Sequence, residues 1–191
     1  MEGRVSGGIL AEAGRKGERR AAEVRKKARA VCIVGAVFCL GLGAVSHFFF
    51  EWSGRDAAAA VFFPANESVW EHLKLVFFPF FVWFFVALPF ADGLNNRVFG
   101  AFAATYIAAG VIPCVFYIYT AFTGRAVLAA DIATFAAGVA AGYAAAYAAF
   151  TRPSLGRAGA IVGAAGLLCI LTAYLTLTVC APDFFLFNEA E

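Results

Sequence analysis

Imidazole and carboxylate side chains within reach of one another can hold zinc, iron or manganese, and an open coordination position on such an ion supports Lewis-acid chemistry. The chain of 191 residues has two histidines, His47 and His72, and each has acids close by in sequence. His47 and Glu51 are four residues apart and share one face of a helix; Glu67 and Glu71 share another, with His72 beside it. The candidate metal ligands are therefore His47, Glu51, Glu71 and His72. The candidate catalytic groups are Glu67, Glu71, Lys74 and Asp131, ionisable residues set against long apolar runs, where charge is costly and usually functional. No HExxH, no Glu-x-x-His pair and no glycine-rich phosphate loop accompanies them. No organic cofactor is implied, and an ion, if one binds, is expected to be zinc, iron or manganese.

The elements that must position these residues are membrane spans. Of the chain, 62% is apolar and 15% charged, against roughly a quarter charged in soluble domains. A span needs about 20 apolar residues, and five runs qualify: 30–50, 68–90, 98–121, 126–150 and 158–180. The fold class expected is an all-α, polytopic transmembrane helix bundle. Its organisation is a basic cytoplasmic N-terminal segment, partly helical, at 1–29; a five-span domain at 30–183; and a short C-terminal tail at 184–191. The connections are too short to hold a soluble catalytic domain, so any site must be built from the spans and their ends.

Charge sets the expected orientation. Nine of the fifteen Lys and Arg precede Ala30, and the side richer in these residues stays in the cytoplasm. With the N-terminus inside, Arg97, Arg152 and Arg157 are inside as well, only Arg55 and Arg125 fall outside, and the C-terminus is outside. His47, Glu51, Glu67, Glu71, His72, Lys74 and Asp131 then gather at the outer helix ends, whereas Asp92, Asn95 and Asn96 form an ordinary solvated loop. The residues from Ile9 to Ala30, with Glu12–Lys16 and Glu23–Lys27 at helix-supporting spacing, read as a cytoplasmic helix that fixes orientation and is suited to contact anionic lipid. A net charge of +2, concentrated beside a span, points to the bilayer as partner and not to nucleic acid.

Simpler roles compete for each polar residue. Ser68-Val69-Trp70-Glu71 has the form of a capping box, in which Ser68 covers the amide of Glu71 and Glu71 reaches back to Ser68; Asn66 is an alternative cap. Trp52, Trp70, Tyr117 and Tyr119 suit interfacial anchors. Lys74 lies about 9 Å below the helix start, where an ammonium needs a partner, so a Lys74–Glu71 pair is expected, joined by Asp131. His47 and His72 are expected to approach one another. Thr134, Gly138, Gly142 and Ala146 form a close-packing seam, as do Gly159 and Gly163, which leaves room for a homo-oligomer. Phe77, Phe78, Phe80, Phe81, Phe84 and Phe85 suit a second span with much lipid contact. The five cysteines lie within apolar runs and read as small hydrophobes.

The string Asn66-Glu67-Ser68-Val69-Trp70-Glu71-His72-Leu73-Lys74, with His47 to Gly54 before it and Phe78-Pro79 after it, resembles a family of small bacterial multi-pass membrane proteins catalogued only as a domain of unknown function. The resemblance extends over Val31 to Cys180 and implies a bacterial cytoplasmic-membrane location, without an activity, substrate or cofactor. Three functions follow from the residues. The first is a structural or interaction protein whose polar network ties the outer helix ends. The second is a membrane-embedded, metal-dependent enzyme or metal-binding site facing outward. The third is a transporter of a small solute, ion or proton, for which inverted repeats would be expected and none is visible.

Overall fold

The computed structural model describes residues 2–187. Seven α-helices follow in order: α1 Glu2–Ser46, α2 Phe49–Trp52, α3 Ala57–Phe62, α4 Val69–Ala87, α5 Arg97–Thr123, α6 Leu128–Thr151 and α7 Gly156–Val179. A 3-10 turn, Leu88–Phe90, extends α4, and there is no strand among the described residues. Helices α1, α4, α5, α6 and α7 are long and apolar enough to cross a membrane, so the expected all-α bundle with five spans is observed. The tail predicted at 184–191 is described only as far as Phe187.

Sequence explains most of the element ends. Ser68 takes an extended backbone and its hydroxyl accepts from the Glu71 amide, starting α4. Gly124, left-handed at φ 70°, closes α5, and Pro153 follows α6. Helix α1 ends earlier than the predicted span: after Ser46 the chain tightens, with the Phe48 amide donating to the Val45 carbonyl at 3.1 Å. His47 therefore stands in a turn and Glu51 in the separate helix α2, so the two do not share a helix face. At 45 residues, α1 is about 68 Å long, more than twice the roughly 30 Å hydrocarbon thickness. Its polar half continues the first span without a break.

Helices α1, α4, α5 and α6 form a ring, each packed against two neighbours, and α7 lies outside on α5. The small residues of α6 make the seam expected of them: Thr134, Gly138, Val139, Gly142 and Ala146 are buried. A Cβ on Gly142 would stand 2.7 Å from the Ala104 carbonyl of α5 and 2.8 Å from the Phe80 ring of α4. The phenylalanines of α4 thus behave differently from expectation. Phe77 and Phe80 are among the most buried residues, because the Phe80 ring fills the space that Gly142 of α6 leaves open and the Phe77 ring packs on Tyr174 of α7 at 4.6 Å; only Phe85 is strongly exposed. The most exposed span is α7.

At the end of the ring where α1 enters, the expected solvated loop is a latch. Asn96, left-handed at φ 50°, donates from Nδ2 to the carbonyls of Ala149 and Pro153 at 3.0 Å and accepts from the Leu155 amide at 2.7 Å. Asn95 donates to the Arg152 carbonyl at 2.9 Å. Lys27 donates to the Asp92 carbonyl at 2.6 Å instead of pairing with Glu23, whereas the Glu12–Lys16 pair forms at 2.8 Å.

Candidate metal centre

The opposite end of the ring gathers the C-termini of α1 and α5 and the N-termini of α4 and α6. It divides the polar residues into three groups. In the first, Lys74 and Glu71 pair at 2.7 Å one turn apart on α4, with side chains 0% and 7% exposed. Lys74 Nζ also donates to the Ala60 carbonyl at 2.7 Å, and Glu71 Oε2 accepts from the Ala65 amide at 2.9 Å. The pair is an internal clasp that fastens α3, through Ala60, and the segment after it, through Ala65, to the start of α4. The reciprocal half of the capping box is absent: the Ser68 amide donates to Asn66 Oδ1 at 3.0 Å, and the Glu71 carboxylate is committed elsewhere. Asp131 does not join the clasp, because it stands on α6, diagonally across the ring.

The second group is Asp131 with Tyr119. The Tyr119 hydroxyl donates to Asp131 Oδ1 and accepts from the Val127 amide at 3.3 Å, locking the α5–α6 turn. Tyr119 is thus a polar partner as well as a ring at the helix end.

The third group is His47, Glu67 and His72. One ligand atom from each lies within 4.8 Å of the other two. The two imidazole rings are 5.3 Å apart at their centroids, the approach expected of them. His72 Nε2 is 3.4 Å from Glu67 Oε2, and its Nδ1 is 2.9 Å from the Ser68 carbonyl oxygen. A carbonyl can only accept, so Nδ1 carries a proton and donates it. Nε2 is then the nitrogen that faces Glu67, and a ring held at Nδ1 by a backbone carbonyl can present Nε2 either to a metal or, when protonated, to the carboxylate itself. Ligands about 2.1 Å from a tetrahedral ion lie about 3.4 Å apart, which the Glu67–His72 separation already matches.

Glu51 is not part of this group. It pairs with Arg55 at 2.9 Å on the surface, and the hydrogen bond from Arg55 Nε, then the charge of the carboxylate, push the guanidinium pKa up. Glu71 is withheld by Lys74. The acid that meets the histidines is Glu67, which precedes the Ser68 cap and so lies outside α4, not on a helix face shared with Glu71; no Lys or Arg lies within four residues of it.

Beneath this centre an open cavity of about 640 Å³ runs into the ring. His47, Glu67 and His72 form part of its wall, Asp131 stands on the α6 side, and Ile112, Phe116, Ile132 and Phe135 make it largely apolar. Nothing in residue spacing announces this space; it lies where residues of α1, α4, α5 and α6 meet. Elsewhere Trp70 stacks between Tyr174 and Phe187, with centroids at 4.8 and 4.9 Å, and its amide donates to the Leu186 carbonyl at 2.9 Å. It therefore holds the C-terminal residues and is not a free interfacial ring. Among the described residues all five cysteines are free.

A family described as being of unknown function, DUF6512, matches residues 20–190. The chain belongs to this family. The match takes in α1 from Arg20 onward, all of α4, α5, α6 and α7, the clasp and the histidine group. No curated protein and no solved structure matches the chain.

Proposed function

We propose that this DUF6512 member is a multi-pass protein of the bacterial cytoplasmic membrane that binds a divalent transition metal through His47, Glu67 and His72 at its outer surface. The observation that carries the reading is the convergence of one ligand atom each from His47, Glu67 and His72 within 4.8 Å of one another. The hydrogen bond from His72 Nδ1 to the Ser68 carbonyl supports it by turning Nε2 toward the carboxylate and the second imidazole. Two imidazoles and one carboxylate suit zinc, iron(II) or manganese(II), and zinc has the highest affinity of the three for such a site. Three protein ligands leave a position for an exogenous group, as in catalytic and not in structural zinc sites. The Lys74–Glu71 clasp supports the structural-network reading for the other half of this end. The two halves do different work: the clasp holds the start of α4, and the start of α4 presents Glu67 and His72.

Elemental analysis of the full-length protein, purified without chelator and without a polyhistidine tag, tests the proposal. Close to one equivalent of zinc, iron or manganese is expected in the wild type, and less than a tenth of that in His72→Ala and in His47→Ala. A metal-free wild type that fails to take up zinc on titration, with His72 protonated and paired to Glu67, would overturn it.

A further inference from the structure

The cavity below the histidine centre has a polar station on each side and apolar walls between them. Its volume, about 640 Å³, falls within the roughly 300–1,000 Å³ of small-molecule sites. Three features of its setting bear on what enters it. The cavity lies at the ends of membrane-spanning helices, at the level of Trp52 and Tyr119, residue types that collect where headgroups lie. Its rim is apolar on the α1 and α6 sides, where Phe48, Leu128 and Ile132 line it while being 52%, 76% and 60% exposed, and acidic on the α4 side, where the Glu67 side chain is 70% exposed. A ligand with acyl chains would lie across the apolar sides of such a rim and leave its polar part beside the carboxylate. The charges are opposed: a divalent ion on two neutral imidazoles and one carboxylate keeps one positive charge, and Asp131 carries a negative charge across the ring. Asp131 Oδ1 is taken by Tyr119; Oδ2 accepts no hydrogen bond among the described residues.

We infer that the cavity receives the headgroup of a bilayer phospholipid that carries a phosphate and a primary ammonium. The phosphate oxygen fills the open position of the metal, the ammonium donates to Asp131, and the adjoining acyl chains leave over the Phe48–Leu128–Ile132 rim. A primary ammonium has three protons to donate, and a quaternary one has none, so Asp131 selects an aminoethyl head over a choline head. The inference rests on the metal reading for its phosphate half. The ammonium half rests on Asp131 alone.

Native mass spectrometry of the zinc-loaded, full-length protein with an equimolar mixture of phosphatidylethanolamine, phosphatidylcholine and phosphatidylglycerol tests it. At least a tenfold preference for phosphatidylethanolamine is expected. Asp131→Asn should reduce that preference severalfold, and Ile132→Trp, which fills the rim, should abolish lipid retention while zinc content, measured on the same samples, stays at the wild-type level. Free phosphoethanolamine should compete poorly because it lacks chains to cross the rim; competition as strong as that of the lipid would identify a water-borne ligand and overturn the inference. Equal retention of all three lipids by a wild type that holds its zinc would also overturn it while leaving the metal reading intact. A wild type without metal that still prefers phosphatidylethanolamine would defeat the metal reading and the phosphate contact together, leaving Asp131 as the selector.

Discussion

Lys74 keeps its charge inside the bundle because every proton on Nζ has a destination nearby: Glu71 supplies the counter-charge and Ala60 a carbonyl. Removing one member of a buried pair leaves the other uncompensated, which costs about 3–5 kcal/mol, whereas replacing both is far cheaper. Lys74→Met is therefore expected to destabilise the detergent-solubilised protein by about 3 kcal/mol or more. Adding Glu71→Gln should recover much of this, since glutamine can still accept from the Ala65 amide while carrying no charge. Chemical unfolding of the wild type, both single variants and the double variant measures the coupling; additive losses would show that the two residues act independently. The same local logic explains which acid reached the histidines. Sequence spacing alone offered Glu51 and Glu71, but each has a cation within four residues, Arg55 and Lys74, that claims it first. Glu67 has none, and a rule of local pairing would have selected it.

Among the elements, α1 and α4 bear the centre, and how closely they approach sets its geometry. Gly43 makes that approach possible, since a Cβ there would stand 2.5 Å from the Leu75 carbonyl of α4 and 2.6 Å from the Phe135 ring of α6. A ring can turn aside, but a backbone carbonyl moves only with its helix. Gly43→Ala is expected to cost about 1–3 kcal/mol and, because His47 follows one turn later, to lower zinc affinity at least tenfold. Gly41→Ala is the control: nothing lies within 4 Å of its Cβ position, so stability and zinc affinity should both stay near wild type in parallel titrations. Five spans and the α6 seam were readable from composition and from the spacing of Gly138 and Gly142, because bilayer thickness and close backbone approach leave few alternatives. The burial of α4 was not, since a face of phenylalanines suits lipid and a glycine-lined neighbour equally well. The Asn96 latch escaped for a related reason: it depends on a left-handed residue meeting the end of α6, some fifty positions away.

For the whole molecule, the His47–Glu67–His72 group and the latch stand at opposite ends, so orientation decides which compartment each one meets. The latch end collects Arg97, Arg152 and Arg157 beside the basic half of α1, and the Asn95–Arg152 contact at 2.9 Å shows that these connections share one end of the ring. The histidine end has only Arg55 and Arg125 in its connections, and Arg55 is paired with Glu51. Positive residues near span ends stay in the cytoplasm, and basic side chains near an anionic leaflet gain about 1 kcal/mol each; both effects act in the same sense here. Reporter fusions after Arg55, Asn96, Arg125, Arg157 and Asn188 should read outside, inside, outside, inside and outside. In that orientation the proposed centre would draw its metal from the extracytoplasmic side, and a membrane-impermeant chelator added to intact cells should strip zinc from the wild type. A cytoplasmic reading at Arg55 would reverse this: the centre would then face the cytosolic metal supply, and the chelator would remove zinc only after the cells were broken.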